Sequence, residues 1–95
     1  MRTLPLLTAV LIFSAPVTAA RASAPGFCRG YADTAAWQYR IMRDTPGCAR
    51  PPSNFWHPDR GLHYGWCLGA SPYAVKDQTR RRNLVLSACD PSYGD

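Results

Sequence analysis

Four cysteines, at positions 28, 48, 67 and 89 of a 95-residue chain, constrain the fold more than any other feature. What they do depends on the compartment, because thiols oxidise outside the cytosol and stay reduced within it. The N-terminus answers that question. Met1-Arg2-Thr3 is followed by the apolar run "LPLLTAVLIF" and then by the small-residue stretch "SAPVTAARASA". A basic start, an apolar centre and a small-residue end read as a secretory signal peptide over residues 1–24. The apolar run is about 10 residues, against roughly 20 for a bilayer span. Cleavage after Ala24 is favoured, with Ala20 and Ala22 as close alternatives. The expected location is periplasmic or secreted, with no membrane span in the mature form, and the cysteines are expected to pair.

Residues 25–95 then form a single small disulfide-stabilised domain. A chain this short buries too small a core to be stable without a staple. Without Arg2 and Arg21, nine basic residues face six acidic ones, so the formal charge falls from +5 to +3. All six acids are Asp, and no Glu occurs.

Three stretches follow one another. In "CRGYADTAAWQYRIMRD", 28–44, the residues Cys28, Ala32, Ala35, Tyr39 and Met42 recur at the three-four spacing of one helix face. Arg29, Asp33, Arg40 and Arg43 take the other side, and "TPG" at 45–47 ends the helix. The second stretch, 48–67, carries prolines at 51, 52 and 58, which exclude a long helix. Asp59 is a candidate cap for a brief helical piece from Arg60 towards Cys67. Gly61 and Gly65 argue instead for irregularity, and the segment reads as a long loop that needs an internal tie. The third stretch, 71–89, opens with Ser71 as N-cap and Pro72 at the first helical position. Val75, Thr79, Arg82, Leu86 and Cys89 mark its inner face.

The expected fold is therefore mostly α: a small disulfide-stapled helical hairpin with a long Pro/Gly/aromatic-rich connecting loop. Four cysteines permit three connectivities. An antiparallel hairpin favours the nested one, in which Cys28 meets Cys89 and Cys48 meets Cys67. Its loops are worth roughly 4 and about 3 kcal/mol taken singly in the chain-entropy model.

The stretch "HYGWC", 63–67, looks the most chemical. On a helix, His63 and Cys67 share a face, as metal ligands require. No Cys-x2-Cys pair accompanies them, however, and a paired Cys67 is no ligand. A weaker metal site from His57, Asp59 and His63 stays as an alternative. The plainer reading packs the His63 ring in the loop, hydrogen-bonded to backbone. No free thiol is expected and no Gly-x-Ser-x-Gly elbow occurs. No paired carboxylates stand out either, so no enzymatic activity and no cofactor are expected. The run Arg80-Arg81-Arg82 points in three directions on a helix, about 100° apart, and makes no nucleic-acid patch. Arg82 falls on the inner face, where a buried acid such as Asp33 or a backbone carbonyl is the expected partner.

Ten aromatic residues in 25–95 are the better lead. They carry large apolar area with a polar handle. Trp37 and Trp66 are expected in the core, and Phe55, Trp56 and Tyr64 on the surface.

The pattern Cys28-x2-Tyr31-Ala32-x2-Ala35-x2-Gln38, then Cys48, Trp56, His63-x2-Trp66-Cys67 and Arg82-x3-Leu86-x2-Cys89 resembles a loose group of short exported bacterial proteins. The group shares a Cys-x2-Tyr-Ala helix start, a His-x2-Trp-Cys corner and an Arg-x3-Leu-x2-Cys end. The likeness spans nearly all of the mature chain. Ala49 and Gln78 depart from it, standing where a Gly and an acid are common. The resemblance implies an exported setting and makes His63, Trp66 and Cys67 a framework unit; it implies no mechanism.

The function expected from these residues is an exported, non-catalytic binding domain. Its contact set is Phe55, Trp56, His57, Arg60 and Tyr64, and its partner is an exported protein or a cell-envelope glycan. An inhibitor or accessory subunit of an exported enzyme, presenting the Pro-rich loop 50–58, is the first alternative. The His57/Asp59/His63 metal protein is the second.

Overall fold

The computed structural model describes residues 22–94, so most of the expected signal peptide lies outside the described residues. Among the described residues there are three helices: α1 (Pro25–Asp44), α2 (Arg60–Leu68) and α3 (Pro72–Cys89). Two disulfides, Cys28–Cys67 and Cys48–Cys89, staple them. The mostly helical, stapled fold expected from the sequence is the one observed.

Each helix starts and stops for a local reason. Pro25 suits the first turn of α1, whose last turn gives way to an extended Thr45 and a left-handed Gly47 at φ 91°. Ser71 Oγ accepts the Ala74 N–H at 3.1 Å and caps α3, with Pro72 behind it. Asp59 Oδ1 accepts the Leu62 N–H at 3.1 Å and caps α2. That second helix replaces residues 60–67 of the expected loop. Its two glycines each cost about 1 kcal/mol relative to alanine. The burial of His63 and Cys67, with Cys67 fixed to α1 through sulfur, offsets that penalty.

This extra helix changes the topology. The start of α1 (Cys28, Tyr31, Ala35) packs with Val75, near the start of α3. The end of α1 (Tyr39, Met42) packs with Leu86, near the end of α3. The outer helices are therefore parallel, and α2 runs back between those two levels, with Arg60 beside Asp33 and Cys67 on Cys28. Three passes replace the two of a hairpin. The nested pairing is thereby overturned: after an odd number of passes the chain's last cysteine arrives at the far end of α1, beside Cys48, and Cys67 is left opposite Cys28. The observed loops, separated by 39 and 41 residues, are nearly equal.

Two apolar clusters result, one at each bridge. Between their levels lies a polar layer, in which Gln38 Nε2 and the Tyr93 hydroxyl both donate to Asn83 Oδ1. Arg82, buried to 1% exposure, sits in the same stretch of α3.

Candidate binding groove

The irregular segment 45–59 is held by a small number of ties. Cys48 is bridged, and the Arg50 N–H points at Met42 Sδ at 3.0 Å. Ser53 builds a turn: its Oγ accepts the N–H groups of Phe55 and Trp56, and its own N–H donates to the Trp56 carbonyl at 2.8 Å. That turn drives Trp56 into the core beside Tyr39, Met42 and Leu86.

Two buried side chains then reach out from the helices to the loop backbone. Arg82 Nε donates to the Phe55 carbonyl at 3.0 Å, and His63 Nε2 donates to the His57 carbonyl at 2.9 Å. A carbonyl only accepts, so the proton of His63 sits on Nε2. Burial holds the His63 imidazole below its ordinary value, and the neighbouring His57 and Arg82 push in the same direction, while the bond to the His57 carbonyl opposes them. His57 stacks on His63 with centroids 3.7 Å apart and planes 4° from parallel, and its Nδ1 accepts the Asp59 N–H.

Arg82 has further company. Nη2 donates to the Tyr31 hydroxyl at 2.9 Å, and the guanidinium lies 4.5 Å from the Phe55 ring centroid and 5.4 Å from that of Tyr31. Nη1 is buried without a partner. The expected carbonyl partner is present, on Phe55. The expected acid is not, because Asp33 pairs with the exposed Arg60 instead.

Above this cluster opens a groove of about 510 Å3 between α2 and the loop. Tyr31, His63 and Arg82 lie at its base, and Phe55, Leu62 and Trp66 flank it, with polar groups from Asn54, His57 and Gln78. Leu62 is 63% exposed and Trp66 45% exposed. They stand four residues apart on α2 and so share one face. Trp66 leans on Tyr31, with centroids 5.6 Å apart.

Of the residues expected to make contact, Phe55 and His57 reach this groove. Arg60 is exposed but tied to Asp33. Tyr64 packs, half-buried, against the cluster at the Cys28–Cys67 bridge. Trp56, expected on the surface, is buried at 5% exposure because the Ser53 turn faces it inward. Trp37 and Trp66, expected in the core, are both about half exposed. Trp37 lies on the same outward row of α1 as Asp33 and Arg40, at four and three residues' distance, with the Tyr93 ring beside it at 5.9 Å between centroids. Its hydrophobicity argued for the core, while its spacing argued for solvent, and the spacing decided. Sequence reasoning missed Tyr31, Leu62, Trp66 and Arg82 as a joint surface. The Asp59 cap was the available signal, since accepting α2 as a helix places Leu62 and Trp66 together.

The metal alternative has no geometric support. Among the described residues no group of three His, Cys, Asp or Glu side chains is placed to hold an ion. The lone pairs of imidazole lie in the ring plane, so stacked His57 and His63 rings present them side by side, and the Asp59 side chain caps α2.

No protein-family model, curated protein or solved structure matches this chain.

Proposed function

We propose that this chain is an exported, non-catalytic binding domain whose contact surface is the groove between α2 and the loop. The observation that carries the reading is the exposed pair Leu62 and Trp66 over a rigid base of Tyr31 and Arg82. A half-exposed indole held by its neighbours loses little conformational freedom when a partner covers it, which is why such residues anchor contacts. All four cysteines being paired fits an oxidising compartment, and among the described residues no helix is long and apolar enough to cross a membrane.

Processing is part of the reading. Ser23 is buried, and its Oγ donates to the Ala70 carbonyl at 2.8 Å in the α2–α3 connection. Cleavage after Ala24 discards that contact, whereas cleavage after Ala22 keeps it, so Ser23 is the proposed mature N-terminus. Intact mass of the exported protein reads the cut directly.

The binding reading is tested by following the three indole N–H resonances during titration with soluble peptidoglycan fragments and with short apolar peptides. A shift at Trp66, abolished in Trp66→Ala with melting unchanged, supports it. Silence with both probe sets, or a response confined to Trp37, overturns it.

A second reading, an inhibitor or accessory subunit of an exported enzyme, draws on residues 49–54. These are exposed throughout, stiffened by Pro51 and Pro52, and anchored at both sides by the Cys48 bridge and buried Trp56. Loss of inhibition of an exported hydrolase on Arg50→Ala, with groove variants inert, would favour it over the groove.

A further inference from the structure

The groove has a charge at its base that nothing in the described chain neutralises. Arg82 is 1% exposed and carries a permanent cation, yet its partners are a carbonyl, a phenol and two ring faces. Burying a cation without a counter-charge is unfavourable. A methionine of similar volume would fill the same space without that penalty.

The described carboxylates are all committed elsewhere. Asp33 pairs with Arg60, Asp44 with Arg43, and Asp77 with Arg80 and Arg81. Asp59 caps α2, and Asp90 accepts from Ser92. The sixth, Asp95, lies outside the described residues, and the sequence has no Glu. Nη1 of Arg82 is also the one nitrogen of that guanidinium left without an acceptor.

We infer that the groove receives a carboxylate carried on an apolar body, with the carboxylate on Arg82 and the apolar part against Leu62 and Trp66. This deepens the proposed binding function and rests on it. A guanidinium with an unpartnered Nη1 beside an engaged Nη2 gives a carboxylate two parallel donors once the Tyr31 hydroxyl yields and the side chains that bury Nη1 part, and such charge-assisted pairs are among the strong hydrogen bonds. The occupant is a peptide segment ending in, or carrying, that carboxylate, and not a sugar. Leu62, the most exposed flanking residue, gives sugar hydroxyls nothing to bond, which leaves them Asn54, His57 and Gln78 alone, and one side of the Trp66 ring is already against Tyr31.

The test uses the oxidised, exported protein and three probes: N-acetyl-Leu-Phe with a free carboxylate, the same dipeptide as its C-terminal amide, and N-acetylmuramic acid. Trp fluorescence gives affinity, and the Arg82 Nε–H resonance reads the guanidinium itself. The acid should bind at least about tenfold more tightly than the amide, weaken with added salt, and shift the Arg82 Nε–H signal. Arg82→Met, which removes the charge and is checked for folding by circular dichroism, should abolish the acid–amide difference; if it does not fold, the wild-type resonance decides alone. Equal binding of acid and amide leaves the groove a contact surface and removes the role of Arg82. N-acetylmuramic acid binding more tightly than the peptide acid overturns the choice of peptide. Binding by none of the three overturns the carboxylate site, and the indole titration with larger fragments separately decides whether the groove binds at all.

Discussion

The two ends of the molecule are built differently although each is closed by one disulfide over a loop of nearly the same length. At the Cys28–Cys67 end, helices meet helices: Tyr31 and Ala35 of α1 pack against Cys67 of α2 and Val75 of α3, with Tyr64 and Leu68 alongside. The small Ala32, Ala35 and Ala36 leave room for that close approach. At the Cys48–Cys89 end, one wall is irregular backbone. There the space is filled by the larger Trp56, Phe55 and Tyr93 against Met42 and Leu86. A regular helix satisfies its own backbone, so it needs only a matching surface. A loop does not, so Arg82 and His63 donate to the carbonyls of residues 55 and 57. The groove forms at the seam between the two kinds of construction, where the donors that hold the loop stand below the exposed face of α2.

Removing each bridge gives the strongest test of that contrast. With separations of 41 and 39, the chain-entropy contribution of each is about 4 kcal/mol. A purely entropic account therefore predicts equal losses in urea midpoints for Cys48→Ala/Cys89→Ala and Cys28→Ala/Cys67→Ala. The architecture predicts that the Cys48/Cys89 variant loses more and becomes open to proteolysis within 45–59, because the remaining ties gather at residues 53–57 and leave the first half of the loop with little besides the Arg50 N–H on Met42 Sδ. Early cleavage in that loop after loss of Cys28–Cys67 would break the comparison.

The tryptophans sharpen it at the next level. Trp56→Ala should lower stability by about 3 kcal/mol, as large buried aromatics do. Trp66→Ala, half exposed, should lower it by less than about 1 kcal/mol and act on the proposed binding alone. Chemical denaturation of the two variants side by side measures the ratio, and equal losses would mean that the indole on α2 is structural.

Acid probes the seam. The folded protein holds His63 below its ordinary value of 6.5, so the unfolded chain takes up the proton first. Stability should therefore be constant above that pH, fall as pH drops below it, and level off beneath the folded value. Melting scans from pH 7.5 to 4.5 should show this decline, and His63→Gln should flatten it if the fold survives the change. The smallest effect is expected at Asp77, partly exposed in its pairing with the exposed Arg80 and Arg81 and a member of neither cluster. Asp77→Asn should leave the melting temperature within the error of the wild type, since such surface pairs contribute little.

Much of the fold was legible locally. The inner faces of α1 and α3, the Ser71-Pro72 start and the Thr45-Pro46-Gly47 stop all follow from spacing and capping, which depend on neighbours within a few residues. The backbone bond of His63 and the inward position of Arg82 were also readable, one as the plainer option of a histidine ring packed in the loop and the other from its place on the α3 stripe. The groove was half legible: Phe55 and His57 belonged to the expected contact set, whereas Trp66 and Trp56 exchanged places. Hydrophobicity cannot rank two indoles for burial. The Ser53 turn buried one, and position on α2 left the other outside.

The amino-acid order alone determined that this is a small, largely helical domain needing covalent support, with a caps-and-spacing pattern that sets where its long helices begin and end. Only the tertiary structure decided which sulfurs join, which aromatics face water and what Arg82 lacks. The physical reason is that helix propensity and capping act over a few residues, whereas pairing depends on how many times the chain crosses the domain. A nine-residue helix with two glycines, stable only because its buried side holds His63 and Cys67, turned two passes into three.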